Sequence, residues 1–202
     1  YALGEFVDNA VQSYSTHKKE LNKINTNYKL KIKIDILSTE ITIRDNAAGI
    51  STDRYNAAFE TGKPPPERGG LSEFGVGMKI AACWFGDKWK VHTKAINENF
   101  WRLVEFDISK IQEKNISELD VTKNSAAGKQ SYTIVTLGKL NHKPKGASIG
   151  RIKEHLSSMY RHLLNDGEIE IFVNNTKLSY HQPVIRNSTY YKDWEDGIIK
   201  KP

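Results

Sequence analysis

Residues 5–14 read EFVDNAVQSY, and two interleaved patterns in this stretch decide how the rest of the chain is interpreted. Apolar side chains recur at helical spacing, which predicts an amphipathic helix from the start of the chain to near Leu21. On its other side, Glu5 and Asn9 lie one turn apart in a polar stripe. A carboxylate there suits polarisation of a water molecule, and an amide oxygen suits Mg²⁺. Taken alone, such a stripe is more often a solvated helix face.

Two alternating segments follow, KLKIKIDIL at 29–37 and EITIRDN at 40–46. Their period of two predicts half-buried strands joined as a hairpin. Asp45 ends the second strand, and Gly49 lies in the following turn. A carboxylate at a strand end can accept a hydrogen bond from an exocyclic amine such as adenine N6, and a glycine lets backbone pass close to a flat ring. An ordinary Asx-type turn explains the same residues.

A third segment, EFGVGMK at 73–79, places Gly75 and Gly77 before a predicted buried helix. Backbone N–H groups at a helix N-terminus form an anion site suited to phosphates. A single Gly-x-Gly is weak evidence, because glycines often only close a turn.

Together and in this order, the three segments resemble the motifs of the GHKL ATPases, whose fold is called the Bergerat fold. The superfamily includes gyrase B, the Hsp-ninety chaperones, histidine kinases, MutL and MORC proteins. EFVDNA resembles the E-x-x-x-N motif, DNAAG the D-x-x-x-G motif, EFGVGM the phosphate loop, and YTIVTL the strand with the fourth-motif threonine, Thr133. The resemblance extends over about residues 1–140.

The resemblance implies a role for each matching residue. Glu5 would be the general base that orients the attacking water, and Asn9 would bind Mg²⁺. Asp45 would accept a hydrogen bond from adenine N6, supported by Thr133, while Gly49 would let the base lie flat.

The resemblance also implies where the phosphates of ATP or ADP would bind. The phosphate-binding residues would be Gly75, Val76, Gly77, Met78 and Lys79. The preceding stretch at 61–73 would be the ATP lid. Ser72 stands where the family often has glycine, which leaves the geometry of the loop open.

Hairpins mixed with helices predict an α+β fold, a two-layer sandwich with one mixed, mostly antiparallel sheet and helices on one face. We expect an ATP-binding domain at 1–140, truncated at its N-terminus because no initiator Met precedes the first helix. Residues 141–202 would form an extension with a helix and a hairpin around Asn174, resembling the start of a transducer region. Residues 109–129 are predicted to be irregular.

Within the superfamily, the favoured function is an Mg-dependent ATP-hydrolysing switch, closest to MORC and MutL proteins, with DNA repair among its possible roles. Such proteins form ATP-dependent homodimers and act through an attached module on DNA or protein. The alternatives are a histidine kinase or a nucleotide-binding module with little turnover. Glu5 favours hydrolysis, because the kinases usually carry an amide there. We expect weak hydrolysis by this region alone, since the family takes a lysine from its transducer.

The chain has 202 residues, a net charge of +6 and a pI of about 9.2. This charge allows DNA binding, although the lysines are dispersed and DNA as a partner stays open. No apolar run approaches the roughly 18 residues that a membrane span needs, so no membrane partner is expected. The single Cys83 excludes an internal disulfide and fits a reducing compartment. We therefore expect a cytoplasmic protein, or a nuclear one in a eukaryote.

Overall fold

A computed structural model describes residues 1–59 and 77–182 of the chain, which form one sheet with helices packed against it. The elements, in chain order, are α1 (Ala2–Thr16), α2 (Lys18–Ile24), β1 (Leu30–Ile36), β2 (Glu40–Asp45), α3 (Thr52–Phe59), α4 (Gly77–Phe85), β3 (Gly86–Lys94), β4 (Phe100–Asp107), α5 (Ile108–Lys114), β5 (Val121–Ser125), β6 (Tyr132–Leu140), α6 (Ala147–Met159), α7 (Arg161–Asn165), β7 (Ile169–Val173) and β8 (Thr176–Lys177).

The eight described strands are ordered β5-β4-β3-β6-β2-β1-β7-β8. All neighbours are antiparallel except β1 and β7. The predicted α+β class, with a mixed and mostly antiparallel sheet, is confirmed. Because β7 pairs directly with β1, part of the segment after residue 140 continues the same sheet. The domain boundary at residue 140 stays a prediction.

The core lies between the sheet and α1, and strand alternation decides which side chains enter it. In β1, Ile32 and Ile34 are fully buried while Lys31 and Lys33 point to the opposite, solvated face. On α1 the apolar side is buried, including Val7, and the helix packs against α4 and β1. Each fully buried aliphatic side chain stabilises the fold by roughly 1.5–3 kcal/mol.

The β1–β2 hairpin forms as predicted, and so does the hairpin around Asn174. Asn174 and Asn175 both adopt positive φ angles, of 47° and 62°, which a two-residue hairpin turn requires. The Asn174 side chain also accepts from the Ile36 N–H at 2.7 Å. This bond fixes the turn to the end of β1.

Several sequence-based expectations were wrong in detail. The first helix ends at Thr16, and α2 begins only after a break at His17. The position of Cys83 between Ala82 and Trp84 predicts a side chain packed in the core, but Cys83 is exposed.

The region 109–129, predicted to be irregular, contains α5 and β5. Every residue of β5 is exposed, so its sequence carries no alternation to read. The start of α5 is capped by Asp107, whose carboxylate accepts from the Lys110 N–H at 3.4 Å. Among the helices of the described residues, none is both long and apolar enough to cross a membrane.

Candidate functional site

A row of polar residues crosses four central strands on the helix-covered face of the sheet. The register places Asp45 of β2 opposite Thr133 of β6, Thr133 opposite Thr93 of β3, and Thr93 opposite Arg102 of β4. Asp45, Thr93 and Arg102 are buried, at positions where alternation would place apolar core residues. Such a polar row inside an otherwise apolar face makes this part of the sheet the candidate binding site.

Asp45 is the buried carboxylate of this row, with 8% of its surface exposed. Its Oδ1 accepts from the Ala47 N–H at 2.9 Å. Burial raises the pKa of Asp45 to about 7, although backbone hydrogen bonds from Ala47 and Thr133 act in the opposite direction. A buried carboxylate whose pKa is raised in this way is suited to accepting from a ligand's N–H donor.

Thr93 fixes the backbone around the row, and the sequence analysis missed it. Its hydroxyl accepts from the Ile50 N–H at 2.9 Å, donates to the Tyr132 carbonyl at 3.0 Å, and lies 3.4 Å from the Thr133 hydroxyl. The sequence does contain a sign of this role. Thr93 lies two residues after Val91 and four after Trp89, and this alternation places its hydroxyl on the core face of β3.

The backbone around Gly49 has no room for the side chain of any other residue. Its φ is +71°, and a Cβ there would overlap the main-chain carbonyl of Lys94. The loop after β2 therefore approaches the end of β3 too closely for any side chain. The close contact between these two backbone segments is a structural reason for glycine at position 49. Contact between Gly49 and the adenine base stays a prediction.

The carboxylate of Glu5 lies against the N-terminus of α4. A Cβ added to Gly77 would overlap the Glu5 carboxylate, so the two residues are in direct contact. Glu5 is half-buried on α1, and α1 packs against α4 along this contact. Two of the predicted site residues, far apart in sequence, therefore meet at a helix N-terminus that favours anions.

Asn9 lies one turn after Glu5 on α1 and is half-buried. Between them, Asp8 turns towards α6 and accepts from the Tyr160 hydroxyl at 2.6 Å. Tyr160 also approaches the Gly4 carbonyl at 3.2 Å. Burial raises the pKa of Asp8, and the bond from Tyr160 partly offsets this. This contact holds the polar turn of α1 in place.

An ion pair at the end of the polar row fixes the start of α3. Arg102 lies 2.8 Å from Glu98 and donates to the Thr52 hydroxyl and, at 3.1 Å, to the Ile50 carbonyl. Glu98 in turn accepts from the Thr52 N–H at 2.9 Å. The loop that carries Gly49 is thus held from both sides.

The chain matches one family model over residues 1–136, that of histidine kinase-, DNA gyrase B- and HSP90-like ATPases. It belongs to this GHKL ATPase family. The predicted superfamily is therefore confirmed. No curated protein sequence gives a significant match.

Solved structures share the fold of this GHKL ATPase domain. The ATPase region of Saccharomyces cerevisiae topoisomerase II aligns with a TM-score of 0.60 and 14% identity, over 89% of this chain and 48% of that one. The ATPase and transducer domains of DNA topoisomerase II from Balamuthia mandrillaris give 0.60 and 14%, over 88% and 47%. The yeast region bound to ICRF-187 (dexrazoxane) gives 0.56 and 14%. The chain spans about half the length of these structures.

The predicted residues of the GHKL site are thus joined in two groups on the same face of the sheet: Glu5 with Gly77, and Asp45 with Thr133. Met78 is partly buried against the core, and Lys79 is half-buried within α4. Gly75, Val76 and the predicted lid at 61–73 lie outside the described residues.

The described residues contain no group of three or more His, Cys, Asp or Glu side chains arranged to hold a metal ion. Mg²⁺ keeps several waters and is held by one or two protein groups together with nucleotide phosphates. The side-chain oxygen of Asn9, one turn after Glu5, is a hard donor that fits such nucleotide-dependent binding.

Proposed function

We propose that this domain binds ATP with Mg²⁺ and hydrolyses it to ADP and phosphate, as a conformational switch. The observation that carries the proposal is the contact between the Glu5 carboxylate and Gly77 at the N-terminus of α4. The N-terminus of α4 would bind the phosphates, so a carboxylate beside it would be in position to act as the base for an attacking water molecule. A phosphotransfer to histidine would need no such base.

The base of the nucleotide would lie against the polar row. Asp45 would accept from the adenine N6 amine, and Thr133 would support that contact directly or through water. Guanine carries an oxygen acceptor in place of this amine, which an ionised Asp45 would repel. The buried position of Asp45 supports this role, because a buried carboxylate without a cation gains most from a ligand donor.

At the other end of the ligand, Glu5 would accept a proton from water as the water oxygen bonds to the γ-phosphorus. The bond between that phosphorus and the β–γ bridging oxygen breaks, leaving ADP and inorganic phosphate. The N–H groups at the start of α4, with Lys79, would stabilise the charge that develops. Asn9 would hold Mg²⁺, which would neutralise phosphate charge.

The finer proposal is a switch of the MutL and MORC kind, in which ATP closes a lid and joins two protomers. Fold similarity to topoisomerase II ATPase regions, one with its transducer domain, supports a switch rather than a kinase. DNA as a partner rests only on the net charge of +6. Comparing the mass of the protein with and without a non-hydrolysable ATP analogue tests the dimer directly.

The base assignment is tested by Glu5→Gln. We expect hydrolysis to fall by roughly 10²–10⁴-fold, the usual contribution of a general base, while ATP affinity stays within about threefold. The matched control is Glu20→Gln, which changes an exposed carboxylate of α2. Hydrolysis by Glu5→Gln at the parent rate would refute the assignment.

The base-recognition assignment is tested by Asp45→Asn with ATP and GTP in calorimetric titrations. An amide can donate to the guanine oxygen, so we expect ATP affinity to drop by about tenfold and the preference over GTP to narrow. If the ratio of ATP affinity to GTP affinity is unchanged in Asp45→Asn, the adenine ring binds elsewhere, even if Glu5→Gln loses hydrolysis as expected.

A further inference from the structure

A cavity of about 480 Å³ lies on the helical side of the molecule, away from the polar row. It is open to solvent and is bordered by the N-terminus of α1, the C-terminal end of α4, the segment after β6 and one side of α6. This volume is within the range of small-molecule sites. None of the described residues proposed to bind ATP lines it.

One wall of the cavity is aromatic and held in position. The rings of Trp84 and His142 stack with centroids 3.9 Å apart and an angle of 7° between their planes. His142 Nδ1 donates to the Trp84 carbonyl at 2.7 Å, which fixes this stack. Half of Trp84 remains exposed, an unusual fraction for so large an apolar side chain. A flat ligand would cover it.

The lining of the cavity is also cationic. Lys143 and Arg151 line the cavity together with His142 and His155, and no carboxylate from residues 1–59 or 77–182 does. Neither Lys143 nor Arg151 forms an ion pair with another described residue. The His155 Nε2 atom is buried without a hydrogen-bond partner, beneath the exposed ring of Tyr1. These cationic and donor groups are suited to an anionic ligand.

The cavity is separate from the proposed nucleotide site. Gly77, which contacts Glu5, and Phe85, which lines the cavity, are the first and last residues of α4. At 1.5 Å per residue these ends are about 12 Å apart. A ligand in the cavity would therefore not occupy the position proposed for ATP.

We propose that this cavity binds a small molecule with a flat apolar body and one carboxylate or phosphate group. The flat body stacks on Trp84 beside the apolar side chains of Phe85 and Ile152. The anionic group pairs with Arg151 and Lys143. The stack supplies affinity through buried area, and the cations supply selectivity for a negative charge.

The test uses 2-naphthyl phosphate and 2-naphthoate as probes, with 2-naphthalenemethanol as the neutral counterpart, in calorimetric titrations of the whole protein with excess ADP present. We expect one bound probe per chain and at least fivefold weaker binding of the alcohol. Arg151→Ala should weaken the anionic probes by roughly five- to tenfold, the loss of one charge-assisted contact. Arg161→Ala, an exposed arginine outside the cavity, should have no effect.

Binding of only one of the two anionic probes supports the site and names its preferred anion. Trp84→Ala should weaken both probes and the alcohol alike, because all three share the flat body. The proposal is overturned if no probe binds, if ADP displaces the probes, or if Arg151→Ala and Arg161→Ala bind them equally. A cavity filled by another part of the protein would give the first of these results.

Discussion

The buried carboxyl group of Asp45 makes a specific prediction for the pH dependence of stability. Its pKa is raised from 3.8 to about 7 by burial. Between these values the folded protein holds a proton that the unfolded chain has released, so the free energy of unfolding falls as the pH rises. The full difference corresponds to about 4 kcal/mol, and the part between pH 5 and pH 8 to roughly 2–3 kcal/mol.

Asp45→Asn removes this titration and keeps an oxygen that can accept from Ala47. Urea unfolding of both proteins at pH 5, 6, 7 and 8 measures the effect. We expect the variant to gain roughly 2–3 kcal/mol relative to the parent between pH 5 and pH 8. Histidines and other groups titrate in both proteins and cancel in this difference. Asp35→Asn, on the solvated face of the same hairpin, serves as the control.

Two results would refute this reasoning. A difference that stays constant from pH 5 to pH 8 would mean that Asp45 titrates as it does in the unfolded chain. A parent protein that gains stability relative to the variant as the pH rises would mean that a cation partners the carboxylate.

A related expectation concerns the ligand. ATP binding near pH 6.5 should release protons, because an N–H donor favours the ionised carboxylate. Calorimetric titrations in buffers of different ionisation enthalpy measure this release.

Three further substitutions separate structural from functional roles. Gly49→Ala should lower the free energy of unfolding by about 2–3 kcal/mol, because it combines a positive φ with a backbone overlap; urea unfolding measures it. In Gly77→Ala the new methyl group meets only the flexible end of the Glu5 side chain. The free energy of unfolding should therefore change by less than about 1 kcal/mol, while ATP hydrolysis should fall at least about tenfold. ATP hydrolysis at the parent rate would contradict the contact between Gly77 and Glu5. Tyr160→Phe should cost about 1–2 kcal/mol of unfolding free energy by leaving Asp8 half-buried without its donor, and much less in an Asp8→Ala background, which has no carboxylate to leave without a donor.

Much of the fold could be predicted because its central strands are covered on one face. Alternation in β1 and β2 correctly puts Ile32 and Ile34 in the core and Lys33 in solvent. The same alternation puts Asp45 on the core side of β2, where a carboxylate is costly and therefore informative. By contrast, β5 is exposed along its whole length, and no sequence pattern marks it.

The features that escaped prediction depend on contacts between distant parts of the chain. Thr93 reads as an ordinary strand threonine until the register places it beside Thr133. Tyr160 reads as one of several apolar positions on a helix, and its bond to Asp8 joins residues 152 positions apart. Periodicity reports the face of an element on which a residue lies, but not which element packs there.

The energetic position of Asp45 is itself an argument for a ligand. Its contact with the Ala47 N–H could be made equally well by asparagine, at a much lower desolvation cost. Within the described part of the chain, no lysine or arginine offsets the burial that raises the pKa of Asp45. Ionisation of a carboxylate in such a place lowers the free energy of unfolding of the ligand-free protein as the pH rises towards 7. A further donor from a ligand would offset this cost. The adenine N6 amine would be such a donor, so we expect the nucleotide to stabilise the parent protein more at pH 8 than at pH 5, and the Asp45→Asn variant to the same extent at both.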